Sequence, residues 1–415
     1  MSQFLKVKTV GEVLTILRRI EPLEAESVDT ESACGRILAE ELTASEPVPH
    51  FPRAVMDGYA VRARDTFGAS ETLPALLSIG GEVSMGKAAL GRLHPGQAIA
   101  VPTGGMLPAG ADAVSMVEYS YFLDEETIEV TRPVAPGDNV LAVGEDIGLG
   151  EKLFPAGWRL RPQDIGVLAA LGVTIVEVHR RPRVAILSTG DEIVPVSTRD
   201  LPPGKVRDIN TLSLAGLVQA AGAVTNLRLI VPDDLDSLVS TCREALAEHD
   251  ALLFSGGSSV GVRDYTLRIL EQFPEGELLV HGVAIRPGKP TILARIGKKM
   301  FWGLPGHPVS AMTVFEAFVR PSLQRLQGWR EATIAESLAS TRKAILSRRL
   351  PSVHGRTDYM PVSLSMDEGK LLASPIFGKS ASINILARAD GYVIIPEHVE
   401  GLDVETEVEV HLYSH

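Results

Sequence analysis

Residues 255–264 read Ser-Gly-Gly-Ser-Ser-Val-Gly-Val-Arg-Asp, in which Gly256, Gly257 and Gly261 interleave with three hydroxyls and a carboxylate closes the stretch. Glycines let bare backbone N–H groups approach an anion, and a following helix start adds partial positive charge. Several chemistries compete here. Gly256 and Gly261 have the spacing of a P-loop, but Val262 stands where that loop needs its phosphate-binding lysine. The dinucleotide fingerprint G-x-G-x-x-G is absent. Gly257-Ser258-Ser259-Val260-Gly261 matches the nucleophile elbow G-x-S-x-G, with Ser259 as the attacking hydroxyl. A tight β–α turn with no ligand would use the same residues.

Other residues with chemical potential sit in glycine- and proline-rich turns. Asp57 lies within Met56-Asp57-Gly58-Tyr59-Ala60, and Thr103 within Val101-Pro102-Thr103-Gly104-Gly105. Taken singly, each is ordinary turn chemistry. Further along come Gly144-Glu145-Asp146, Ser188-Thr189-Gly190-Asp191-Glu192 and Arg286-Pro287-Gly288-Lys289-Pro290.

The elements that must position these residues follow from periodicity. Thr9 to Glu12 forms a capping box ahead of a stripe of Val10, Val13, Leu14, Leu17 and Ile20, which predicts a helix. A second helical segment is expected over 31–41, around Cys34, Ile37 and Leu38. Such helices need a surface to cover, either an oligomer interface or a neighbouring domain. From 47 to 144 short alternating runs between Pro and Gly predict an inserted β-domain. Arg161-Pro162-Gln163-Asp164 starts a helix that Gly172 stops, returning the chain to the helical layer.

From Arg183 strands alternate with helices: Val184–Leu187, a helix capped by Asn210, Val224–Val231, a helix to Leu246, then the run Ala251–Phe254. A helix from near Asp264, strands over 278–283, 291–294 and 300–303, and a long helix over 309–326 complete the pattern. It predicts a doubly wound, mostly parallel sheet over 181–330, with ligands outside the C-terminal strand ends. Residues 331–415 return to short strands and read as a small β-domain with one helical piece over 380–389.

At 415 residues several domains are required, and 45% hydrophobic against 22% charged residues marks them as folded. A net charge of −12 and only 5% aromatics exclude a nucleic-acid surface. An anion site here must therefore be a local focus of N–H groups and placed cations. No apolar run reaches the roughly 18 residues of a membrane span, and no signal peptide is read at the N-terminus. Cys34 and Cys242 make no disulfide framework or metal site, and both are expected to pack on helices; a cytoplasmic location is the default.

These motifs, in this order and together with Ser255-Gly256-Gly257 and Leu304-Pro305-Gly306 to Ser310, resemble the molybdopterin molybdotransferase family, to which the C-terminal domain of gephyrin belongs. The resemblance spans nearly the whole chain. It implies a multidomain α/β plus β fold: an elongated helical domain in two segments (1–46 and 145–180), the inserted β-domain, the α/β domain and a C-terminal β-barrel, paired as a homodimer. The implied reaction inserts molybdenum from molybdate into adenylylated molybdopterin with Mg²⁺, releasing AMP. The site is implied to lie between the α/β domain of one subunit and the helical and inserted domains of the other.

The implied functional positions are Asp57, Thr103, Asp146, Glu192, Asp208, Asp264 and Lys289, with Ser310 and Arg356 near molybdate. Asp208 and Asp264 could supply the carboxylate oxygens Mg²⁺ takes. Lys289 and Arg356 are the cations an oxyanion requires, in a turn closed by Pro290. In this light Ser255, Gly256, Gly257 and Ser258 become a pocket for the substrate's pyrophosphate. The adenylylating enzyme of the pathway is an implied partner.

The sequence departs from the family pattern at Arg286 (commonly Lys), His307 (usually Asn), Ser258 (usually Val) and Ala54 (usually Ser), which leaves a preference for tungstate open. A serine hydrolase using Ser259, with His307 as base, is the rival, but it leaves Arg286, Lys289 and the inserted domain's carboxylates unexplained.

Overall fold

The computed structural model describes residues 7–256, 259–330 and 341–413, and for residues 259–264 the backbone alone. At its centre is a six-stranded sheet in the order Val224–Val231, Arg183–Thr189, Ala251–Gly256, Lys299–Leu304, Ile292–Ile296 and Gly276–His281. The first four strands are parallel. The last two are antiparallel, because the turn from Ile296 to Lys299 is too short for a crossover.

Residues alternate between two cores along each strand, as an extended backbone requires. Val184, Ile186 and Leu253 join Trp302 and the helices Asn210–Ala220 and Pro308–Val314 on one face. Ala185, Leu187, Leu252 and Phe254 meet the helix Leu235–Glu248 on the other. The sheet is therefore sandwiched between helical layers.

The capping box at Thr9 forms as expected, and the helix Val10–Leu17 follows it. Val13 and Leu17 are buried in the α/β core, so the stripe covers a neighbouring domain. The helix expected over 31–41 does not form. Only the single 3₁₀ turn Thr30–Ser32 is present, Gly35 takes a left-handed φ of 79°, and Ile37 and Leu38 bridge to Arg159 and Val178. Cys34 is accordingly exposed in a turn, whereas Cys242 is buried on a helix. The helix Pro162–Ala170 forms as read, and Gly172 leaves it at φ 67°.

The two segments flanking the insert are stitched by short antiparallel pairs, Ala25–Asp29 with Ile175–His179 and Leu42–Thr43 with Lys152–Phe154. Between them lies a mixed six-stranded sheet of strands from Gly58–Val61 to Thr127–Val130. The long helix runs Pro308–Val314, then a π turn over Phe315–Val319, then Arg320–Leu326. Pro321 explains the wide turn, since proline lacks an N–H and clashes with the carbonyl four residues earlier.

Strands Thr341–Leu346, Thr357–Asp367, Lys370–Pro375, Gly391–Ile395 and Glu407–Leu412 close into a five-stranded barrel through the pairing of Thr357–Asp367 with Gly391–Ile395. Ile285–Arg286 pairs in parallel with the first two residues of Thr357–Asp367 and so welds barrel to α/β domain. No helix among the described residues is long and apolar enough to cross a membrane.

Candidate functional site

A cleft of about 1050 Å³ opens between the α/β domain and the barrel. Arg286, Lys289, Arg356 and Lys379 line it, and among the described residues no carboxylate does. In a chain carrying −12 overall, this is a local concentration of positive charge facing one cavity. Gly288 makes the close approach possible: its φ is 125°, and a Cβ there would lie 2.5 Å from Val314 Cγ2. Lys289 is thereby turned outward and exposed. Ser310 and Pro290 line the same cleft, so the expected Arg286, Lys289, Pro290, Ser310 and Arg356 are brought together.

Beneath the two arginines lies Asp358, fully buried. Arg356 Nε donates to its Oδ1 at 2.9 Å, and Arg286 Nη1 lies 3.5 Å from its Oδ2. Across the cleft His307 Nδ1 is 2.8 Å from Ser380 Oγ, which fixes the ring on the barrel and gives it a structural partner where the family pattern has Asn.

A second group gathers at the strands' C-terminal ends. Ser188 and Ser255 are register partners on adjacent strands. Ser188 Oγ donates to Asp208 Oδ1 at 3.3 Å, and the Thr211 N–H donates to the same oxygen at 3.2 Å. The Thr211 hydroxyl also bonds the carboxylate. Asp208 thus does the capping expected of Asn210. The Asn210 amide instead donates to Ser255 Oγ at 2.6 Å and to the Gly306 carbonyl at 2.9 Å, linking this group to the cleft wall. Its Oδ1 is buried without a partner among the described residues. On the opposite face Thr189 bonds Asp233. Glu192 is half-buried beside Gly190, where a Cβ would meet its Oε2 at 2.8 Å.

The third group belongs to the inserted domain. Asp57 Oδ1 accepts from the Thr103 N–H at 2.7 Å and from its hydroxyl at 3.0 Å. These two bonds, the N–H first, hold the Asp57 carboxyl below the usual range. Gly58 is required next door, since a Cβ would collide with the Ser115 carbonyl at 2.0 Å. Ala54 is buried at 1% exposure, and its backbone pairs with Gly104 and Gly105, a dry position for a methyl. Asp146 is exposed, its N–H donating to the Val48 carbonyl at 3.1 Å. None of Asp57, Thr103 and Asp146 lines the cleft.

Gly257 and Ser258 lie outside the described residues, as do the side chains of Ser259 and Asp264; Gly256 ends its strand. The helix after the glycine turn begins at Ser259, five residues earlier than expected from Asp264. Among the described residues no three of His, Cys, Asp and Glu gather as a metal site. Lys379, Ser380, Asn210 and Asp358 belong to the site by position, though no site motif in the sequence marks them. Asp358 lies second in the strand Thr357–Asp367, and Arg356 in the bend just before it, so only the fold shows that the two side chains meet.

Residues 8–172 match the family model for the MoeA N-terminal region (domain I and II), residues 185–325 the "Probable molybdopterin binding domain", and residues 343–413 the MoeA C-terminal region (domain IV). The chain is 34% identical over 391 residues to the molybdopterin molybdenumtransferase of Bacillus subtilis, covering 93% of this chain and 89% of that protein. It is also 34% identical over 382 residues to the enzyme of that name from Nostoc sp., covering 90% and 85%. The solved molybdopterin biosynthesis MoeA protein of Pyrococcus horikoshii superposes with a TM-score of 0.84 at 34% identity, over 98% of this chain and 100% of that one. With its three regions matched in order and relatives aligned nearly end to end, the chain belongs to the MoeA family of molybdopterin biosynthesis proteins.

Proposed function

We propose that this chain is a molybdopterin molybdenumtransferase, which inserts molybdenum from molybdate into adenylylated molybdopterin and releases AMP as the last step of molybdenum cofactor biosynthesis. The observation that carries this is a cleft lined by Arg286, Lys289, Arg356 and Lys379, with no carboxylate among its described lining residues, in an acidic member of the MoeA family. Arg356 and Lys289 neutralise the oxyanion and Ser310 donates a hydroxyl to it. The turn at Ser255 and Gly256 receives the diphosphate, whose P–O bond is broken by water. Such a reaction is governed by positioning and charge, so no nucleophilic side chain is required.

Asp208 is 8% exposed, and no Lys, Arg or His side chain among the described residues is within ion-pair reach of it. A buried carboxylate met only by hydroxyl and N–H donors suits a hard divalent cation. Asp208 and Asp264 would hold Mg²⁺, which supplies charge neutralisation on the diphosphate when bound. Asp57, Thr103, Asp146 and Glu192 orient substrate or water. For the three residues of the insert and its border this requires a homodimer, in which one subunit's insert faces the other's cleft. The pathway's adenylylating enzyme is the partner that hands over the substrate.

Purified protein is mixed with adenylylated molybdopterin, Mg²⁺ and molybdate or tungstate, and activation of a cofactor-free reporter enzyme is followed with AMP release. Oxyanion-dependent reconstitution is expected. Reconstitution with neither oxyanion contradicts the proposal, and a preference for tungstate would tie the departures at Arg286, His307, Ser258 and Ala54, taken together, to metal choice.

A further inference from the structure

Asp358 takes no part in the chemistry above, yet it sits between two of the cations that the cleft depends on. It is fully buried, while the side chains of Arg356 and Arg286 are 32% and 54% exposed. Arg356 therefore rests one edge on this carboxylate, Arg286 reaches it with Nη1 alone, 3.5 Å from Oδ2, and both residues line the cavity. Arg356 lays Nε on Oδ1 at 2.9 Å and Nη2 near Oδ2 at 3.5 Å. The backbone enforces the meeting, because Arg286 and Asp358 are parallel register partners and the Thr357 N–H donates to the Ala284 carbonyl at 2.9 Å.

A buried negative charge under an anion site is unfavourable by charge alone, since it repels the ligand. Its presence calls for a compensating role. Long arginine stems lose rotamer freedom when their forks are fixed, and a carboxylate that fixes them beforehand removes that cost from binding.

We propose that Asp358 is a positioning residue, which sets the guanidinium planes of Arg286 and Arg356 so that their outward N–H groups converge on one tetrahedral oxyanion. Arg286 is then matched to Asp358: a fork can rest on the carboxylate and still present donors, whereas a lysine ammonium is a single point of charge. This rests on the cleft being the oxyanion site.

The test is calorimetric titration of molybdate into the full-length protein, as wild type, Asp358→Asn and Arg286→Lys, with separate KM values for molybdate and for adenylylated molybdopterin. Asp358→Asn is expected to bind molybdate at least about tenfold more weakly although a negative charge has been removed. Arg286→Lys, which keeps net charge, is expected to weaken binding about fivefold. In both, the KM for molybdate rises while that for the pterin does not. Tighter or unchanged molybdate affinity in Asp358→Asn overturns the proposal. Should that variant fail to fold by thermal melt, wild-type affinity in Arg286→Lys overturns it alone. Wild-type protein that binds neither molybdate nor tungstate refutes the cleft assignment itself, whereas intact binding with unaffected variants refutes only the role of Asp358.

Discussion

Thr103 offers two donors to one oxygen of Asp57, and the pair has a consequence that can be titrated. The N–H is the larger cause of the lowered carboxyl value and the hydroxyl the smaller. Thr103→Ala removes only the hydroxyl, so the Asp57 value is expected to rise part of the way toward the ordinary carboxylate range. Carbon-13 NMR titration of the Asp57 carboxyl checks this, and an unchanged titration would show that the hydroxyl bond is not formed in solution. At the strand ends, Asp208→Asn keeps the contacts with Ser188 and Thr211 in shape but loses the charge. Turnover is expected to fall at least about a hundredfold, with molybdate affinity unchanged because Asp208 does not line the cleft. A matching loss of molybdate binding would place Asp208 in the oxyanion site instead.

Elements matter here for where they aim a loop. Gly288→Ala must move either Val314 or the turn, since its Cβ would sit 2.5 Å from Val314 Cγ2 at a φ that side chains rarely adopt. A stability loss of about 1–3 kcal/mol is expected, together with weaker molybdate binding, by chemical denaturation and calorimetry. The linker after Ile175–His179 is fastened by Arg180, which donates to Asp250 at 2.6 and 2.7 Å and to Glu24 at 2.5 Å. Burial raises the Asp250 value, but the Arg180 and Arg183 hydrogen bonds outweigh it and leave the carboxyl below its usual range. A depressed folded value means stability that is fully present above the ordinary value of 3.8 and lost as pH falls through the lower folded one. Arg180→Ala strands Asp250 at 14% exposure and is expected to cost about 3 kcal/mol at pH 7, with the difference from wild type shrinking below about pH 4.

Ala251–Phe254 was readable in the sequence because an apolar run between Asp250 and Gly256 leaves few alternatives. Val224–Val231 was readable because Gly222 and Pro232 mark its ends, although Thr225, Asn226 and Arg228 interrupt its apolar residues. The helix over 31–41 was misread because Ile37 and Leu38 look periodic, while long-range bridges to Arg159 and Val178 claim them. The π turn before Pro321 also needed the three-dimensional frame. In the site, Lys289 was legible in its Arg286–Pro290 motif, and Arg356 only through the family resemblance. Lys379 and Ser380 were not, because long-range contacts bring them to the cleft: the pairing of Ile285–Arg286 with Thr357–Asp358, and the bonds of Ser380 to His307 and to the Val309 N–H.

In the whole molecule, the cleft and the inserted domain's Asp57–Thr103 pair carry complementary chemistry on separate domains, and the residues of the insert do not line the cleft. Under the proposed function both act on one substrate, with the insert of one subunit serving the cleft of another. The direct measurement is complementation. Asp57→Asn and Lys289→Ala chains, each inactive, are mixed, allowed to exchange subunits, and assayed for AMP release and reporter reconstitution with molybdate. Each mixed dimer would hold one intact site and one doubly damaged site, so about a quarter of the wild-type activity is predicted. Mixed chains that exchange subunits yet stay as inactive as either parent would contradict the account.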